Sequence, residues 1–176
     1  MDLKEILNPE IIDLRVEGNT KREVLENLSK HLLEKGYIDD IPQFVDDIFL
    51  RESEGPTGMG YGLSIPHGKS KAVKKIGIAI GRTVNPISWE SDISDSGWQL
   101  TNLIFLFCVN VDNSYAENHL LLLSELAGKL ANYERIQAIK EATTAKEIID
   151  AIIKDDSEFA DNAVSEEEIV ELDIAL

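Results

Sequence analysis

The sequence has one cysteine and no long apolar run. The single cysteine, Cys108, excludes an internal disulfide and is typical of a reducing compartment. The longest apolar stretch, residues 103–109, is far shorter than the roughly 20 residues of a membrane-spanning helix. The acidic N-terminus also lacks the basic-then-apolar order of a signal peptide. These absences predict a cytoplasmic protein.

Basic residues are scarce as well. The chain has 17 Lys and Arg against 33 Asp and Glu, a formal net charge of −16. This charge would repel nucleic-acid phosphates, so we expect no nucleic-acid partner. From Asp155 to the end there are nine acidic residues and no Lys or Arg. We therefore predict one domain over residues 1–154 and an acidic C-terminal tail over 155–176, which is either solvated or docked on the domain or a neighbouring chain.

Apolar periodicity and capping boxes predict alternating strands and helices. The Ser/Thr-x-x-Glu pattern that opens a helix occurs at Thr20, Ser114 and Thr144. A further helix is predicted over 42–51, and strands over 11–16, 63–66, 76–84 and 102–109. The last of these is continuously apolar, as in a central strand buried on both faces. The predicted fold is α/β, a three-layer-like sandwich with a mixed, mostly parallel sheet flanked by helices.

The most informative segment runs from Gly55 to Gly68 and reads GPTGMGYGLSIPHG. Glycines at alternate positions lead into a short apolar extended stretch, residues 63–65. Pro66 then fixes its own φ, and Gly68 leaves the backbone unrestricted on the other side of His67. A histidine held in this way is presented to solvent in one direction, which suits a reactive imidazole.

Three other interpretations compete with a reactive histidine. His67 could be incidental to a stiff turn, and spacing alone supports that interpretation about equally. Gly68-Lys69-Ser70 resembles the end of a phosphate loop, but that pattern needs a glycine at position 63, which is Leu. A dinucleotide fingerprint fails because its glycines follow a strand and open a helix.

The segment RESEGPTGMGYGLSIPHGK, residues 51–69, resembles the phosphorylation-site signature of enzyme IIA of the fructose/mannitol class in the bacterial sugar phosphotransferase system. Shared features are the Arg-Glu pair, Thr-Gly, alternate glycines, an apolar pair and Pro-His-Gly. The resemblance extends from about Ile6 to Ile153. It includes a Pro-Ile-x-Trp stretch at residues 86–89 and Glu-Asn-His-Leu at residues 117–120.

The resemblance implies that the chain is a phosphoryl carrier for sugar uptake. His67 would accept the group from the phosphohistidine of the carrier HPr and pass it to a cysteine of enzyme IIB, serving the membrane permease enzyme IIC indirectly. No metal or organic cofactor is expected, and the three histidines lack the paired spacing of metal ligands. The sequence leaves the sugar and the oligomeric state open.

Two further catalytic residues are inferred from the resemblance. It places Arg51 and His119 beside the phosphorylated histidine, where a guanidinium fork would hold the phosphoryl oxygens. Thr57 and the N–H groups around Gly58 and Gly60 are candidate neutral donors for the same group. The other two candidates are given structural roles, His31 as a partly buried helix residue and Cys108 as a core residue.

One residue departs from the family pattern. The family most often has Asn between the second and third glycines, whereas this chain has Tyr61. Tyr tolerates left-handed backbone poorly, so we expect a local difference in the loop and in the rim that meets partner proteins. Two alternatives to transport stay open: a nitrogen-type enzyme IIA that signals by binding proteins, and an interaction module that is never phosphorylated.

Overall fold

The computed structural model describes residues 2–111 and 116–159, which form two compact units. One unit comprises residues 8–111, and the other comprises 2–7 and 116–159. The Ser114 cap and residues 160–176 of the predicted tail lie outside the described residues. The helices and strands, in chain order, are α1 (Leu3–Ile6), β1 (Ile12–Val16), α2 (Lys21–Glu34), α3 (Ile41–Glu54), β2 (Leu63–Ser64), β3 (His67–Ser70), β4 (Gly77–Glu90), β5 (Trp98–Asn110), α4 (Ala116–Leu130), α5 (Tyr133–Glu141) and α6 (Ala145–Ile153).

The first unit is built on a mixed five-stranded sheet. β4 and β5 form a long antiparallel pair at its centre. β1 lies parallel to β4, while β2 and β3 follow each other along β5, both parallel to it. The predicted α/β fold with a mixed, mostly parallel sheet is confirmed, although its longest pairing is antiparallel. β4 also runs past the predicted end at Val84, because β5 continues to pair with it as far as Glu90.

Two amphipathic helices, α2 and α3, pack on this sheet. The Thr20 side chain accepts a hydrogen bond from the Glu23 N–H at the start of α2, as the capping box predicts. The apolar face of α2 is fully buried at Val24, Leu25, Leu28 and Leu32, whereas Leu33 at its end is exposed. Residues 103–108 of β5 are also fully buried. The central apolar strand is therefore buried on both faces, as its sequence indicates.

The second unit is helical and contains a helix that the sequence pattern did not reveal. α5 has a charged residue, Arg135, in its first turn, and this side chain is fully buried. It is satisfied by acceptors at the ends of neighbouring segments, namely the backbone carbonyls of Lys129, Ala151 and Lys154 and the carboxylate of Asp156. A helix is predicted from the regular spacing of its buried apolar residues. In α5 one buried position is taken by Arg135, whose charge is stabilised by these partners, so the apolar pattern is interrupted.

None of the helices in the described ranges combines the length and apolar character that a membrane span requires.

β3 and α3 come unusually close to each other at Gly68. A Cβ atom added there would lie 3.1 Å from the backbone oxygen of Asp47 and 3.3 Å from Cβ of Arg51. Both distances are tighter than ordinary van der Waals contact. The last turns of α3 can therefore lie directly on the strand that carries His67 only because residue 68 has no side chain.

We predict that Gly68→Ala destabilises the protein by about 1–3 kcal/mol, because the new methyl group pushes α3 away from β3. Gly128→Ala is the matched control, since no atom lies within 4 Å of its added Cβ and it sits inside α4. This control should be stabilising by about 0.5–1 kcal/mol through helix propensity. Urea unfolding of both variants checks the contrast, and equal effects would contradict the close packing at Gly68.

Candidate functional site

His67 is the first residue of β3 and is held by the central strand β5. It lies opposite Phe107 in the parallel pairing, and the Phe107 N–H donates to the Pro66 carbonyl over 2.9 Å. On the other side, the Ile65 N–H donates to the Thr57 carbonyl over 3.1 Å. Backbone hydrogen bonds therefore fix the chain on both sides of the histidine, and its ring is half-buried.

The imidazole orientation is set by one hydrogen bond. Nδ1 of His67 lies 2.9 Å from the carbonyl oxygen of Ile65. A carbonyl oxygen can only accept, so Nδ1 carries the proton. In the neutral ring, Nε2 then has the free lone pair and is the nucleophilic atom.

Burial lowers the pKa of His67 below its ordinary value of 6.5, because the charged imidazolium is poorly solvated there. The positive charge of Arg51 acts in the same direction, while the Ile65 carbonyl and the Glu52 carboxylate oppose it and favour the protonated form. The neutral, nucleophilic ring therefore predominates at neutral pH.

Arg51 lies in the last turn of α3 and influences His67 electrostatically. Its Nη1 donates to the Gly55 carbonyl over 2.9 Å, which anchors one side of the guanidinium. Within residues 2–111 and 116–159 it makes no ion pair. The positive charge next to the histidine is therefore not neutralised by a described carboxylate.

The glycine loop turns through three consecutive left-handed residues. Gly60, Tyr61 and Gly62 have φ angles of 81°, 54° and 76°. The family most often has Asn at residue 61. Here a tyrosine adopts the left-handed conformation, at a cost of about 1–2 kcal/mol. Whether the loop differs from those of relatives stays a prediction.

The side chain of Gln99 on β5 fills the inside of this loop. Its Oε1 accepts from the Gly60 N–H over 2.9 Å, and its Nε2 donates to the Leu63 carbonyl over 2.9 Å. A Cβ on Gly58 would lie 2.7 Å from the same Oε1. Sequence reasoning missed Gln99 because it is about 40 residues away along the chain.

The predicted neutral donors have partners inside the protein. The Gly58 N–H donates to the Glu90 carbonyl, 3.2 Å away, and the Gly60 N–H donates to Gln99. Thr57 is buried, and its hydroxyl donates to the carboxylate of Glu52 while accepting from Nε1 of Trp89 at 3.4 Å. These three residues build the loop and its support beneath the histidine.

The remaining sequence candidates lie on other helices and strands. His119 is on α4 in the helical unit and is half-buried, and its predicted role stays a prediction. His31 is a half-buried residue of α2 whose Nε2 lies 2.8 Å from Oδ2 of Asp13. Within the described parts of the chain, no group of three or more His, Cys, Asp and Glu side chains is arranged to hold a metal ion.

Cys108 is buried in the core, as its place in an apolar strand predicts. Burial strongly raises the pKa of its thiol, since a thiolate would have no solvation there. It lies opposite Gly68 in the pairing of β3 with β5, one residue along from His67.

The sequence matches one protein family over most of the chain. The sequence model described as "Phosphoenolpyruvate-dependent sugar phosphotransferase system, EIIA 2" matches residues 5–155. The chain belongs to this EIIA family. EIIA components are phosphotransferases that carry phosphate on a histidine, and this chain is therefore a phosphotransferase-system component.

Individual relatives agree with the family match. The fructose-like EIIA component of Escherichia coli is 32% identical over 139 residues, covering 78% of this chain and 89% of the relative. The E. coli 2-O-alpha-mannosyl-D-glycerate-specific EIIABC component is 31% identical over 152 residues, covering 86% of this chain. This chain spans only 22% of that larger protein.

Among solved structures, the nitrogen regulatory protein IIA-Ntr from Neisseria meningitidis superimposes with a TM-score of 0.73 and 28% sequence identity. The superposition covers 85% of this chain and 98% of the Neisseria protein. The fold is thus shared with an EIIA protein named for nitrogen regulation.

The lowered pKa of His67 predicts a pH dependence of stability. The unfolded chain takes up a proton at this histidine near pH 6.5, whereas the folded chain does so only at lower pH. The free energy of unfolding should therefore decrease as pH falls through this window, and this part of the decrease should be missing in His67→Gln. Urea unfolding above and below pH 6.5 measures the difference, and an identical dependence in both proteins would contradict the lowered pKa.

Proposed function

We propose that this EIIA accepts a phosphoryl group on Nε2 of His67 from the phosphohistidine of HPr and passes it to a cysteine of EIIB. The acceptor would belong to a sugar uptake system of the cytoplasmic membrane that includes EIIC, with this chain acting in the cytoplasm. The observation that carries the proposal is the Nδ1–H···O=C hydrogen bond of His67 to Ile65, which leaves Nε2 with its lone pair.

The transfer uses the two nitrogens of the ring in different ways. Nε2 attacks phosphorus in line as the P–N bond of phospho-HPr breaks, and the donor imidazole leaves with the bonding electron pair. The Nδ1 proton stays on His67, where the Ile65 carbonyl stabilises the positive charge that develops on the ring. Transfer to the EIIB thiolate reverses the roles, so a P–S bond forms as the P–N bond of His67 breaks.

Catalysis in this scheme consists of positioning and charge stabilisation. Arg51 would contact the phosphoryl oxygens through the guanidinium nitrogens on the side away from Gly55. His119 is retained as a second proposed contact. We assign Thr57, Gly58 and Gly60 to building the loop, because they make hydrogen bonds within the protein.

We predict that incubation with enzyme I, HPr and phosphoenolpyruvate adds one acid-labile phosphoryl group to the wild-type protein and none to His67→Gln. Intact mass measurement before and after acid treatment detects the gain. His31→Gln is the matched control, since it removes a half-buried histidine that is paired with Asp13, and it should be phosphorylated normally.

Two outcomes would contradict this assignment. An unphosphorylated wild-type protein, beside a fructose-class EIIA that is labelled in the same mixture, would exclude the carrier function and favour an interaction module. A phosphorylated His67→Gln protein would move the site to another histidine.

Arg51 provides a second prediction. Arg51→Met should slow phosphorylation by about 10²-fold, as expected when one preorganised charged donor is lost from a transition state. Arg51→Lys should recover only part of this rate, because an ammonium lacks the planar fork of the guanidinium. Quenched-flow mass measurement gives the rates, and Arg22→Met, at an exposed arginine, is the control. Wild-type rates in Arg51→Met would exclude the proposed contact.

A second candidate function is phosphorylation-dependent regulation, favoured by the structural match to the Neisseria IIA-Ntr protein. The two functions differ in the fate of the phosphoryl group. Mixing the phosphorylated protein with a fructose-class EIIB separates them: rapid loss of the group to the EIIB cysteine supports transport. Retention of the group, together with binding of another protein in only one phosphorylation state, supports regulation.

A further inference from the structure

A buried ion pair joins α2 to the last turn of α3, next to Arg51 in the chain. Nζ of Lys21 is 2.8 Å from Oε2 of Glu52, with the Lys21 side chain 10% exposed and the Glu52 side chain 2% exposed. The other carboxylate oxygen of Glu52 accepts from the Thr57 hydroxyl. Both oxygens of the carboxylate are therefore engaged, as a buried charge requires.

Lys21 occupies a position where helix electrostatics disfavours it. It is the first residue of α2, beside the positive end of the helix dipole, where acidic residues are stabilising and basic ones are not. Its ammonium lies over the Trp89 ring, 4.7 Å from the centroid, and over the Phe49 ring at 5.3 Å. The charge of Lys21 therefore does not stabilise α2, and its role lies in its interaction with another group.

The group that needs it is the carboxylate next to Arg51 in the chain. Glu52 and Arg51 both influence His67, with opposite signs. Without Lys21, the charge of the buried Glu52 carboxylate would be uncompensated, and Arg51, the preceding residue in the chain, is the cation that acts on His67 together with it. An Arg51–Glu52 pair would neutralise the charge that the incoming phosphoryl group requires.

We propose that Lys21 and Glu52 are positioning residues: Lys21 binds the Glu52 carboxylate and so leaves the guanidinium of Arg51 free of ion pairing for the phosphoryl group. This inference rests on the proposed phosphoryl-carrier function. Glu52 acts electrostatically on His67 of β3, as Arg51 does. Two further charged groups lie near the pair: Arg22 on α2, whose guanidinium lies over the same Phe49 ring as Lys21, and Glu90 on β4, whose Oε1 is 4.0 Å from Lys21 Nζ. Glu90 is about half-exposed and is therefore the weaker of the two carboxylate partners of Lys21.

The test compares Lys21→Met, Glu52→Gln and the double variant by two independent measurements, the phosphorylation rate and the NMR titration of the His67 ring. The Lys21→Met protein should be phosphorylated at least about tenfold more slowly than the wild-type protein, because Glu52 then pairs with Arg51. Glu52→Gln should slow the reaction less, since Arg51 stays unpaired. The double variant should recover most of the rate lost in Lys21→Met.

The titration separates this charge arrangement from a merely structural role. Lys21→Met removes a positive charge and should raise the pKa of His67, whereas Glu52→Gln removes a negative charge and should lower it. The double variant should return the pKa towards that of wild type. General loosening of the structure would not shift the two single variants in opposite directions.

Two control variants complete the design. Lys21→Arg keeps the charge and should keep both the rate and the His67 titration near wild type. Lys35→Met removes a lysine from an exposed pair with Glu10 and should change neither. If Lys21→Met fails to fold, the comparison of Glu52→Gln with the double variant and with Lys21→Arg still decides the direction of the pKa shifts.

The inference is overturned if Lys21→Met retains the wild-type rate, or if all variants lose rate equally with no change in the His67 titration. Failure of the proposed function is distinguishable from this. In that case the wild-type protein is not phosphorylated at all, while the His67 titration still confirms or refutes the charge arrangement.

Discussion

The site depends on the close approach of α3 to β3 at Gly68. The strand backbone there lies against a helix carbonyl and the Cβ of Arg51, so closely that a side chain at residue 68 would crowd both. This approach brings the last turn of α3, with its arginine and its buried glutamate, alongside the histidine strand. Because β3 is also paired with the central strand β5, the histidine is held between the longest strand pairing of the sheet and the end of a helix.

The same packing sets the protonation chemistry of the imidazole. Half-burial removes the solvent that would stabilise an imidazolium, and the hydrogen bond to Ile65 fixes which nitrogen keeps the proton. A fully exposed ring would be freely oriented, and a fully buried one would be out of reach of another protein. The intermediate burial of His67 lies between these extremes and is compatible with the phosphoryl-carrier role that we propose for it.

The features that were predictable from the sequence are those that depend on neighbouring residues. The Thr20 and Thr144 caps, the apolar face of α2, the buried β5 and the constrained Pro-His-Gly segment all follow from local patterns. Long-range contacts were not predictable. Lys21 and Gln99 act on residues more than thirty positions away, and α5 is stabilised by Arg135, whose partners lie in other segments.

The place of Cys108 has a consequence for the route of the phosphoryl group. The sulfur belongs to the residue paired with Gly68, adjacent to a histidine that we propose forms a labile P–N bond. Successive residues of a strand face opposite sides of a sheet, so the Cys108 side chain lies on the face opposite that of Phe107, the residue paired with His67. Burial keeps this sulfur protonated and covered on all sides, so it is chemically silent. The sheet thereby separates the single cysteine of the chain from the histidine that we propose carries the phosphoryl group.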